Sequence, residues 1–510
     1  MFRAIRDFNY MEAIPRMAAD LVMLHASMLA ALATSVVYRA ALGNGLGATQ
    51  LASGFAQYYL VFAYLFSPMF LLVFLANGFY TRSRAYSNRL KMITVLRGVG
   101  LSVLVFLAIH FLFFRSQPVG RSVVFPFAVF AALAATLSRF VKMVLEQRMV
   151  VKRQGRAAGR KTGNTVLVVG GAGYIGSIVV RQLLGQGRSV RVLDNLVYGT
   201  DPLDAVLRDP NLELMVGDCR NIRDAVAAVQ DVNEIIHLGA IVGDPACEQD
   251  RKTALEINYA ATRMLIEVAK GNGVQRFLFA SSCSVYGSAD FEMDERAAVT
   301  PISHYAQTKV DSERVLLDAA SETFHPVILR FATVFGLGYR PRFDLVVNLL
   351  SAKAHQEGVI TIYNGEQWRP FIHVRDIADA IIKVLDAPLS VVSGEIFNVG
   401  DSRLNYTLGE VAETIRKVFP NTRVEHIENS DRRNYRVNFD KIHYRLGFRC
   451  RYNLEDGIQE IRRAFIEKSV LDYTDVRYHN QRFLKAAGSP ENKTELDGRV
   501  MAAFASSPAA

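Results

Sequence analysis

Tyr305 and Lys309 are the side chains whose types and spacing point most directly to chemistry. They stand four residues apart in Ser303-His-Tyr-Ala-Gln-Thr-Lys-Val, so on a helix they share one face. An ammonium beside a phenol lowers the phenol's pKa from about 10, and a tyrosine tuned in this way can act as a general base. Such a pair is common on solvated helices, so its meaning depends on the elements that position it.

A glycine-rich turn upstream predicts an anion-binding element. The apolar run that begins at position 166 leads into a turn made by Gly170, Gly173, Tyr174, Ile175 and Gly176. Gly170 allows a tight turn, Gly173 removes the Cβ that would keep a pyrophosphate away, and Gly176 lets the following helix pack against the strand. The amino terminus of that helix can then face a phosphate.

The next apolar run, which begins at Ser189, ends in Asp194, with Asn195 directly after it. A carboxylate at this position accepts hydrogen bonds from an adenosine ribose and disfavours a 2′-phosphate. Strand, turn, helix and acid together predict a dinucleotide site, with NAD preferred over NADP. The alternative is a set of glycines that cap a helix in some other α/β domain.

Short apolar runs alternate with helical patterns further along the chain and begin at Leu212, Glu234, Arg276 and Pro326. This alternation predicts an α/β fold, with right-handed crossovers and a doubly wound parallel sheet of the Rossmann type. Ligands collect at the carboxyl ends of such strands. We therefore expect cofactor or substrate contacts from Asp218, Cys219, Leu238, Gly239, Ala240, Ser282 and Ser284. Asp218 is expected to reach an adenine amino group, and the small residues after position 238 let the backbone approach the cofactor.

Four apolar stretches precede the glycine turn, at about 17–37, 55–76, 99–114 and 123–137, each near the ~20 residues that a membrane-spanning helix needs. Basic residues lie before the first stretch, between the second and third, and after the fourth. Since basic loops stay in the cytoplasm, we expect a multi-pass inner or plasma membrane protein whose amino terminus and catalytic portion are cytoplasmic. The alternatives are a signal peptide and a soluble helical bundle.

The composition of the 510-residue chain agrees with a membrane region, because 50% of its residues are hydrophobic. The net charge of +10 comes largely from basic residues beside the apolar stretches, so topology explains it better than a nucleic-acid partner does. Four cysteines without CxxC spacing indicate reduced thiols and no metal site.

Taken together, five ordered motifs resemble the extended short-chain dehydrogenase/reductases. They are the glycine turn, the acid at 194, Ser-Ser-Cys-Ser-Val-Tyr-Gly, Tyr-x3-Lys and the run from Trp368 to Asp376. The resemblance covers about residues 164–470 and is closest to the NAD-dependent epimerase/dehydratase family, which acts on nucleotide sugars. It implies bound NAD, a nucleoside-diphosphate sugar as substrate and a homodimer.

The resemblance also implies roles for individual residues. Tyr305 matches the family's base, Lys309 the residue that binds the nicotinamide ribose and tunes that base, and Ser282 the residue that shares the substrate hydroxyl. Asn258 matches an asparagine that supports the active site and cofactor.

Other positions are expected to contact the sugar nucleotide. Arg369 and Arg433 match basic residues that hold the diphosphate, with surface arginines as the alternative. Thr333 stands where many sugar-nucleotide epimerases have asparagine, and Ser284 lies in the serine motif. Arg342 is a candidate sugar contact in the predicted lid, with a salt bridge as the alternative.

Two residues bear on the reaction. Sugar-nucleotide 4,6-dehydratases place an Asp-Glu pair where this chain has Cys283 and Ser284, and serine cannot replace a glutamate base unaided. We therefore favour a membrane-anchored NAD-dependent epimerase, acting at C4 through a 4-keto sugar and serving envelope polysaccharide or glycan synthesis. The alternatives are a 4,6-dehydratase, an epimerase of a lipid-linked sugar and a non-catalytic NAD-binding scaffold.

The predicted organisation follows from these elements. It consists of a four-helix transmembrane region at 1–150, a basic linker at 151–163, an NAD-binding Rossmann domain at 164–340, an interleaved smaller α/β substrate domain at 341–472 and a frayed carboxyl-terminal tail at 473–510.

Overall fold

The computed structural model describes residues 10–41, 48–76, 88–113, 123–137, 165–429, 433–470, 472–487 and 495–506. The chain forms two compact units, Met1–Val150 and Val151–Ala510. Their boundary coincides with the start of the predicted basic linker, which itself lies outside the described residues. Each unit is described separately below.

The described part of the amino-terminal unit is helical. Its helices are α1 (Tyr10–Ala41), α2 (Ala48–Val61), α3 (Ser67–Ala76), α4 (Asn88–Phe113) and α5 (Val123–Leu137), and a π-helical turn at Phe62–Phe66 joins α2 to α3. By length and composition, two segments could cross a membrane: Met17–Tyr38, and Phe55–Leu75, which runs through the π-helical turn. The third and fourth predicted spans correspond to shorter apolar helices, Arg97–Ile109 and Val123–Leu137.

A row of buried phenylalanines holds these helices together. Phe62, Phe66, Phe70 and Phe74 follow one another at four-residue steps and are all buried, the first two in the π-helical turn and the last two in α3. Phe66 meets Phe106 of α4 edge to face, with ring centroids 4.8 Å apart. The opposite surfaces of the helices carry exposed apolar residues, among them Leu29, Leu60, Leu72, Leu104 and Leu133. The unit is therefore apolar both inside and outside.

The second unit is built on a seven-stranded sheet in the order β11-β7-β5-β4-β1-β2-β3. Every strand pair in it is parallel. Its strands are β1 (Thr165–Val169), β2 (Ser189–Asp194), β3 (Leu212–Val216), β4 (Glu234–His237), β5 (Arg276–Ser282), β7 (His325–Phe331) and β11 (Ile396–Val399). After β1 the chain adds β2 and β3 on one side of it, and then crosses over to add β4 on the other side. Ligands of open α/β sheets bind at such a switch point, which here lies between β1 and β4.

Helices cover the sheet, and their apolar faces make the core of the unit. They are α6 (Gly176–Gly185), α7 (Ile222–Val229), α8 (Asp244–Gln249), α9 (Arg251–Leu255), α10 (Ala261–Gly271), α11 (His304–Asp318), α13 (Val374–Asp386) and α14 (Leu389–Val392). A second π-helical turn, Glu256–Ala260, joins α9 to α10. The predicted doubly wound parallel sheet is confirmed.

Smaller sheets and further helices build the interleaved substrate portion. The strands are β6 (Ser288–Met293), β8 (Thr333–Phe335), β9 (Val359–Tyr363), β10 (Trp368–His373), β12 (Asn405–Thr407), β13 (Arg423–Ile427) and β14 (Asn434–Val437). They pair as β12-β10-β8, β13-β9 and β14-β6. The helices are α12 (Val346–Gln356), α15 (Leu408–Val418), α16 (Asp440–Leu446) and α17 (Leu454–Ile466), and α12, α15 and α17 share an apolar cluster with β8, β9 and β10.

The carboxyl-terminal segment differs from the predicted frayed tail at 473–510. It contains two helices, α18 (Asn480–Ala487) and α19 (Glu495–Ser506). Phe483 of α18 is fully buried, and Met501 of α19 belongs to the core cluster of the large sheet. The sequence prediction was wrong here because helices of 8 and 12 residues show only about two and three turns of apolar pattern, so their order depends on packing against the rest of the unit.

Candidate active site

The glycine turn lies at the switch point between β1 and β4. Gly170 has φ +81°, and a Cβ there would come 2.8 Å from the backbone nitrogen of Gly239. A Cβ on Gly176 would lie 2.3 Å from the carbonyl oxygen of Gly170. At Gly173 only that same oxygen comes near, at 3.2 Å, so the outer side of the turn stays open for a ligand at the start of α6.

Tyr174 connects this turn to the loop after β8. Its hydroxyl donates a hydrogen bond to the carbonyl oxygen of Gly336 at 2.6 Å, and the side chain is buried. Asn348 of α12 also holds Gly336, accepting from its backbone nitrogen at 2.9 Å and donating to its oxygen at 2.9 Å. Burial raises the pKa of Tyr174 well above its usual value. Tyr174, a predicted cofactor contact, therefore uses its hydroxyl inside the protein, while Ile175 directly precedes α6.

Asp194 ends β2 beside the turn. Its Oδ2 accepts from the backbone nitrogen of Ala172 at 2.9 Å, and its Oδ1 accepts from that of Leu196 at 2.8 Å. Burial raises the pKa of Asp194, whereas these two bonds and the charge of Arg340 lower it. Each carboxylate oxygen keeps a lone pair that can accept a ribose hydroxyl. The open turn and the anchored acid fit the pyrophosphate and adenosine ribose of NAD, and Asn195 follows directly.

Asp218 is engaged differently from the sequence prediction. Both of its carboxylate oxygens bind the buried guanidinium of Arg220, at 3.1 Å from Nε to Oδ1 and 2.8 Å from Nη2 to Oδ2. The predicted adenine contact would have to share Asp218 with this bidentate ion pair, which sequence spacing alone does not reveal. Burial also raises the pKa of the neighbouring Cys219 to about 12, so its thiol is neutral.

Asn258 secures the loop that follows β4. Its Nδ2 donates to the carbonyl oxygen of Ile241 at 2.9 Å, and its Oδ1 accepts from the backbone nitrogen of Ile241 at 2.8 Å. The residues just before this point, Leu238, Gly239 and Ala240, form the wall opposite the glycine turn. The backbone nitrogen of Leu238 donates to Val169 of β1 at 2.9 Å. Asn258 thereby holds the predicted cofactor-binding loop in place.

The predicted catalytic residues converge between β5 and α11. Ser303 caps α11 by accepting from the backbone nitrogen of Ala306 at 3.2 Å, which places Tyr305 in the first turn. The side chain of Ser282, at the end of β5, lies close enough to Tyr305 to lower the pKa of its phenol. Lys309 Nζ lies 5.8 Å from the centroid of the Tyr305 ring and donates to the carbonyl oxygen of Ala280 at 2.8 Å.

The electrostatics of Tyr305 correct one expectation. Burial raises its pKa above the usual value, and the charges of Cys247 and Asp244 act in the same direction. Arg342 and Ser282 lower it, but less than burial raises it. The lowering predicted from Lys309 together with the positive charge of the nicotinamide is therefore not present in the protein by itself. Burial also lowers the pKa of Lys309, to about 8.

The arginines among the predicted substrate residues have partners within the protein. Arg342 binds both carboxylate oxygens of Asp344, at 3.0 and 2.8 Å, so the salt bridge weighed as its alternative is present. Arg369 donates to the carbonyl oxygens of Trp368, at 2.8 Å, and of Arg433. The Oγ of Ser284 is buried and has no hydrogen-bond partner among the described residues, while Thr333 opens β8.

Arg433 leads to a residue that the sequence analysis missed. Its Nη1 lies 2.6 Å from Oδ2 of Asp244, the first residue of α8. The other oxygen, Oδ1, is buried without a hydrogen-bond partner in the part of the chain that the structure describes. Asp244 follows Gly243, whose φ of +96° turns the chain back toward the site. That glycine after a strand end was the one signal that could have drawn attention to Asp244.

The glycine turn at the switch point, Asp194 beside it and the set of Ser282, Tyr305 and Lys309 at the carboxyl end of β5 are the features of an NAD-binding enzyme of the extended short-chain dehydrogenase class. The sequence profile described as the NAD dependent epimerase/dehydratase family matches residues 166–400. The chain belongs to this family.

The chain covers individual relatives almost completely. The UDP-glucose 4-epimerase of Rhizobium meliloti (strain 1021) is 30% identical over 313 residues, which are 57% of this chain and 94% of the relative. Among solved structures, MoeE5 in complex with UDP-glucuronic acid and NAD is 28% identical with a TM-score of 0.52, covering 60% of this chain and all of MoeE5 (100%). The dTDP-glucose 4,6-dehydratase DesIV from Streptomyces venezuelae, solved with NAD, is 26% identical with a TM-score of 0.55, covering 60% and 98%.

Proposed function

We propose that this protein is a membrane-anchored, NAD-dependent nucleotide-sugar 4-epimerase. The observation that carries the proposal is the convergence of Ser282, Tyr305 and Lys309 at the carboxyl end of β5, on the same edge of the sheet as the glycine turn. A proton-transfer group on the cofactor-binding edge of the sheet is what reversible oxidation of a sugar carbon needs.

In the proposed reaction Tyr305 accepts the proton of the sugar's 4-hydroxyl while Ser282 shares that hydroxyl through its hydrogen bond. Bound NAD supplies the hydride acceptor and later the donor, as in the rest of the family. Lys309 stabilises the phenolate by its charge and its position on the same helical face. The 4-keto sugar then rotates in the pocket so that its other face is presented, and Tyr305 returns the proton to the product hydroxyl.

The serine motif favours epimerisation over dehydration. Cys283 occupies the place of the dehydratase acid, and its thiol donates to the carbonyl oxygen of Arg330 at 3.3 Å. Burial raises the pKa of Cys283 well above its usual range, so the thiol releases no proton readily. Ser284 is no stronger as an acid or base. The similarity to DesIV keeps 4,6-dehydration as the second candidate.

The amino-terminal unit supports the membrane part of the proposal. Met17–Tyr38 and Phe55–Leu75 are long and apolar enough to span a bilayer. Exposed leucines such as Leu72, at 53% exposure, lie on the outer surface of the helices, where lipid tails would satisfy them. With basic residues flanking the apolar stretches, the second unit would face the cytoplasm, where envelope sugars are made from nucleotide precursors.

The test is a substrate panel on the detergent-solubilised full chain. UDP-glucose, UDP-glucuronic acid and dTDP-glucose are each incubated with the protein, and the products are read by mass and NMR. We expect an isomer of unchanged mass, no net NADH and NAD still bound. A product that has lost water would establish the dehydratase instead, and stoichiometric NADH release would establish a dehydrogenase. If these three are not converted but a lipid-linked sugar incubated separately is, the substrate is membrane-bound. If no substrate is converted although NAD is bound, a non-catalytic scaffold is favoured.

A further inference from the structure

The carboxyl-terminal helix α18 lies beyond the residues that the family profile matches, yet it packs against the cofactor region. Phe483 is 0% exposed and Leu484 is 5% exposed, while their neighbours Gln481 and Lys485 face solvent. Helices of eight residues are marginal in isolation, so α18 depends on these two contacts for its place. What the two side chains touch therefore indicates what the helix does.

Leu484 belongs to an apolar cluster at the carboxyl ends of the strands. The cluster joins it to Ile241 and Cys247, which follow β4, and Tyr305 packs at its edge. Val197 and Cys219, which follow β2 and β3, pack on the same cluster. Leu484 thus belongs to the same apolar cluster as the residues that follow β2, β3 and β4, against which Tyr305 also packs.

Phe483 packs against an aromatic ring that is covered by Arg340. Its ring lies 4.9 Å from that of Tyr198 with a tilt of 50°, and the guanidinium of Arg340 lies 3.4 Å from the centroid of the Tyr198 ring. The positive charge of Arg340 also lowers the pKa of Asp194. A cation held over an aromatic ring in a buried setting is a strong and directional contact.

Asn480, the first residue of α18, connects the two sides of the crevice. Its Oδ1 accepts from Arg340 Nη2 at 2.7 Å, and its backbone nitrogen donates to Oδ2 of Asp344 at 3.2 Å. Its Nδ2 donates to the carbonyl oxygen of Val242 at 3.5 Å. One residue therefore binds both the loop after β4 and the loop after β8.

We propose that α18 is a wall of the NAD crevice and that Phe483, Leu484 and Asn480 are positioning residues that retain the cofactor. The helix holds Tyr198, Arg340 and the loop after β4 in the arrangement that accepts NAD, which removes the ordering cost from cofactor binding. The inference rests on NAD binding by the family and does not require the epimerase reaction.

The experiment measures cofactor retention in the solubilised full chain. Phe483→Ala and Leu484→Ala are compared with Gln481→Ala and Lys485→Ala on the exposed face of the same helix. NAD is quantified after gel filtration, and its Kd is measured by calorimetry on protein stripped of cofactor. We expect the two buried-site variants to weaken NAD binding by about tenfold or more, and the two exposed-site variants to match the parent protein.

A second variant guards against simple unfolding. Asn480→Ala removes the connection between the loops without opening an apolar cavity, and near-UV circular dichroism checks that it stays folded. Loss of NAD from folded Asn480→Ala supports the proposal. Unchanged NAD retention in the folded variants, or tighter binding, would overturn it, because α18 would then be irrelevant to the crevice or would obstruct it. If the α18 variants lose NAD as expected but the parent protein converts no sugar, this inference stands and the proposed function fails.

Discussion

Asp244 and Arg433, nearly two hundred residues apart in the chain, form an ion pair in the active site, with 2.6 Å between Oδ2 and Nη1. Asp244 begins α8, which follows β4, and Arg433 stands directly before β14. The charge of Asp244 raises the pKa of Tyr305, and its Oδ1 is buried without a partner among the described residues. The pair therefore acts on the proposed base through the electric field as well as through its position.

Replacing Asp244 by asparagine should shift the pH dependence of catalysis. Removing the negative charge lowers the pKa of Tyr305, and the released Arg433 acts in the same direction. The acid limb of the kcat/KM profile is then expected to move to lower pH by roughly one unit. Glu248→Gln on the solvent side of α8 serves as the control, because its partner is the exposed Arg251. A limb that moves upward, or not at all, would disprove the electrostatic role.

Tyr305→Phe should abolish proton transfer while leaving the cofactor bound. A positioned general base contributes about 10²–10⁴-fold to a rate, so kcat should fall by that factor. The NAD content of the purified variant, read by absorbance, should equal that of the parent protein. Tyr444→Phe, at a tyrosine that is 77% exposed, is the matched control and should retain full activity. Equal activity in both variants would remove Tyr305 from the mechanism.

Gly170→Ala should destabilise the second unit and expel NAD. The substitution places a Cβ at φ +81° and only 2.8 Å from the Gly239 backbone, so strain of about 1–3 kcal/mol is expected. Gly185→Ala, at the end of α6 where nothing lies within 4 Å of the added Cβ, should instead be neutral or stabilising by up to ~1 kcal/mol. Thermal unfolding with and without NAD distinguishes the two. Equal unfolding temperatures would show that the turn can relax.

Glu313→Gln should be strongly destabilising because it leaves the Arg330 guanidinium without its counterion. The two side chains are 5% and 4% exposed and lie 2.6 Å apart, and Ser281 also donates to Glu313. Breaking one half of a buried ion pair costs about 3–5 kcal/mol in the free energy of unfolding. Glu413→Gln, which breaks an exposed pair with Arg416, should change that free energy by less than about 1 kcal/mol. Urea unfolding measures both, and similar values would show that water reaches Arg330.

The parallel sheet, the glycine turn and the acid at the end of β2 were predictable because each depends on residues close together in the sequence. The meeting of Tyr305 with Ser282 came from the family resemblance. Long-range side-chain pairing was not predictable, since Arg433 meets Asp244, nearly two hundred residues away, only once the loops are folded. The raised pKa of Tyr305 depends on its burial, which spacing along one helix cannot convey.

The four cysteines of the chain have a practical consequence. All are free thiols, and in each case burial is the main cause that raises the pKa above its usual value. Because the thiolate is the reactive form, maleimides and iodoacetamide should label the native protein poorly at neutral pH. A single cysteine introduced at the exposed position 485 would then accept a fluorophore in an otherwise unmodified background. The protein's own cysteines would therefore not interfere with a fluorophore that reports on α18.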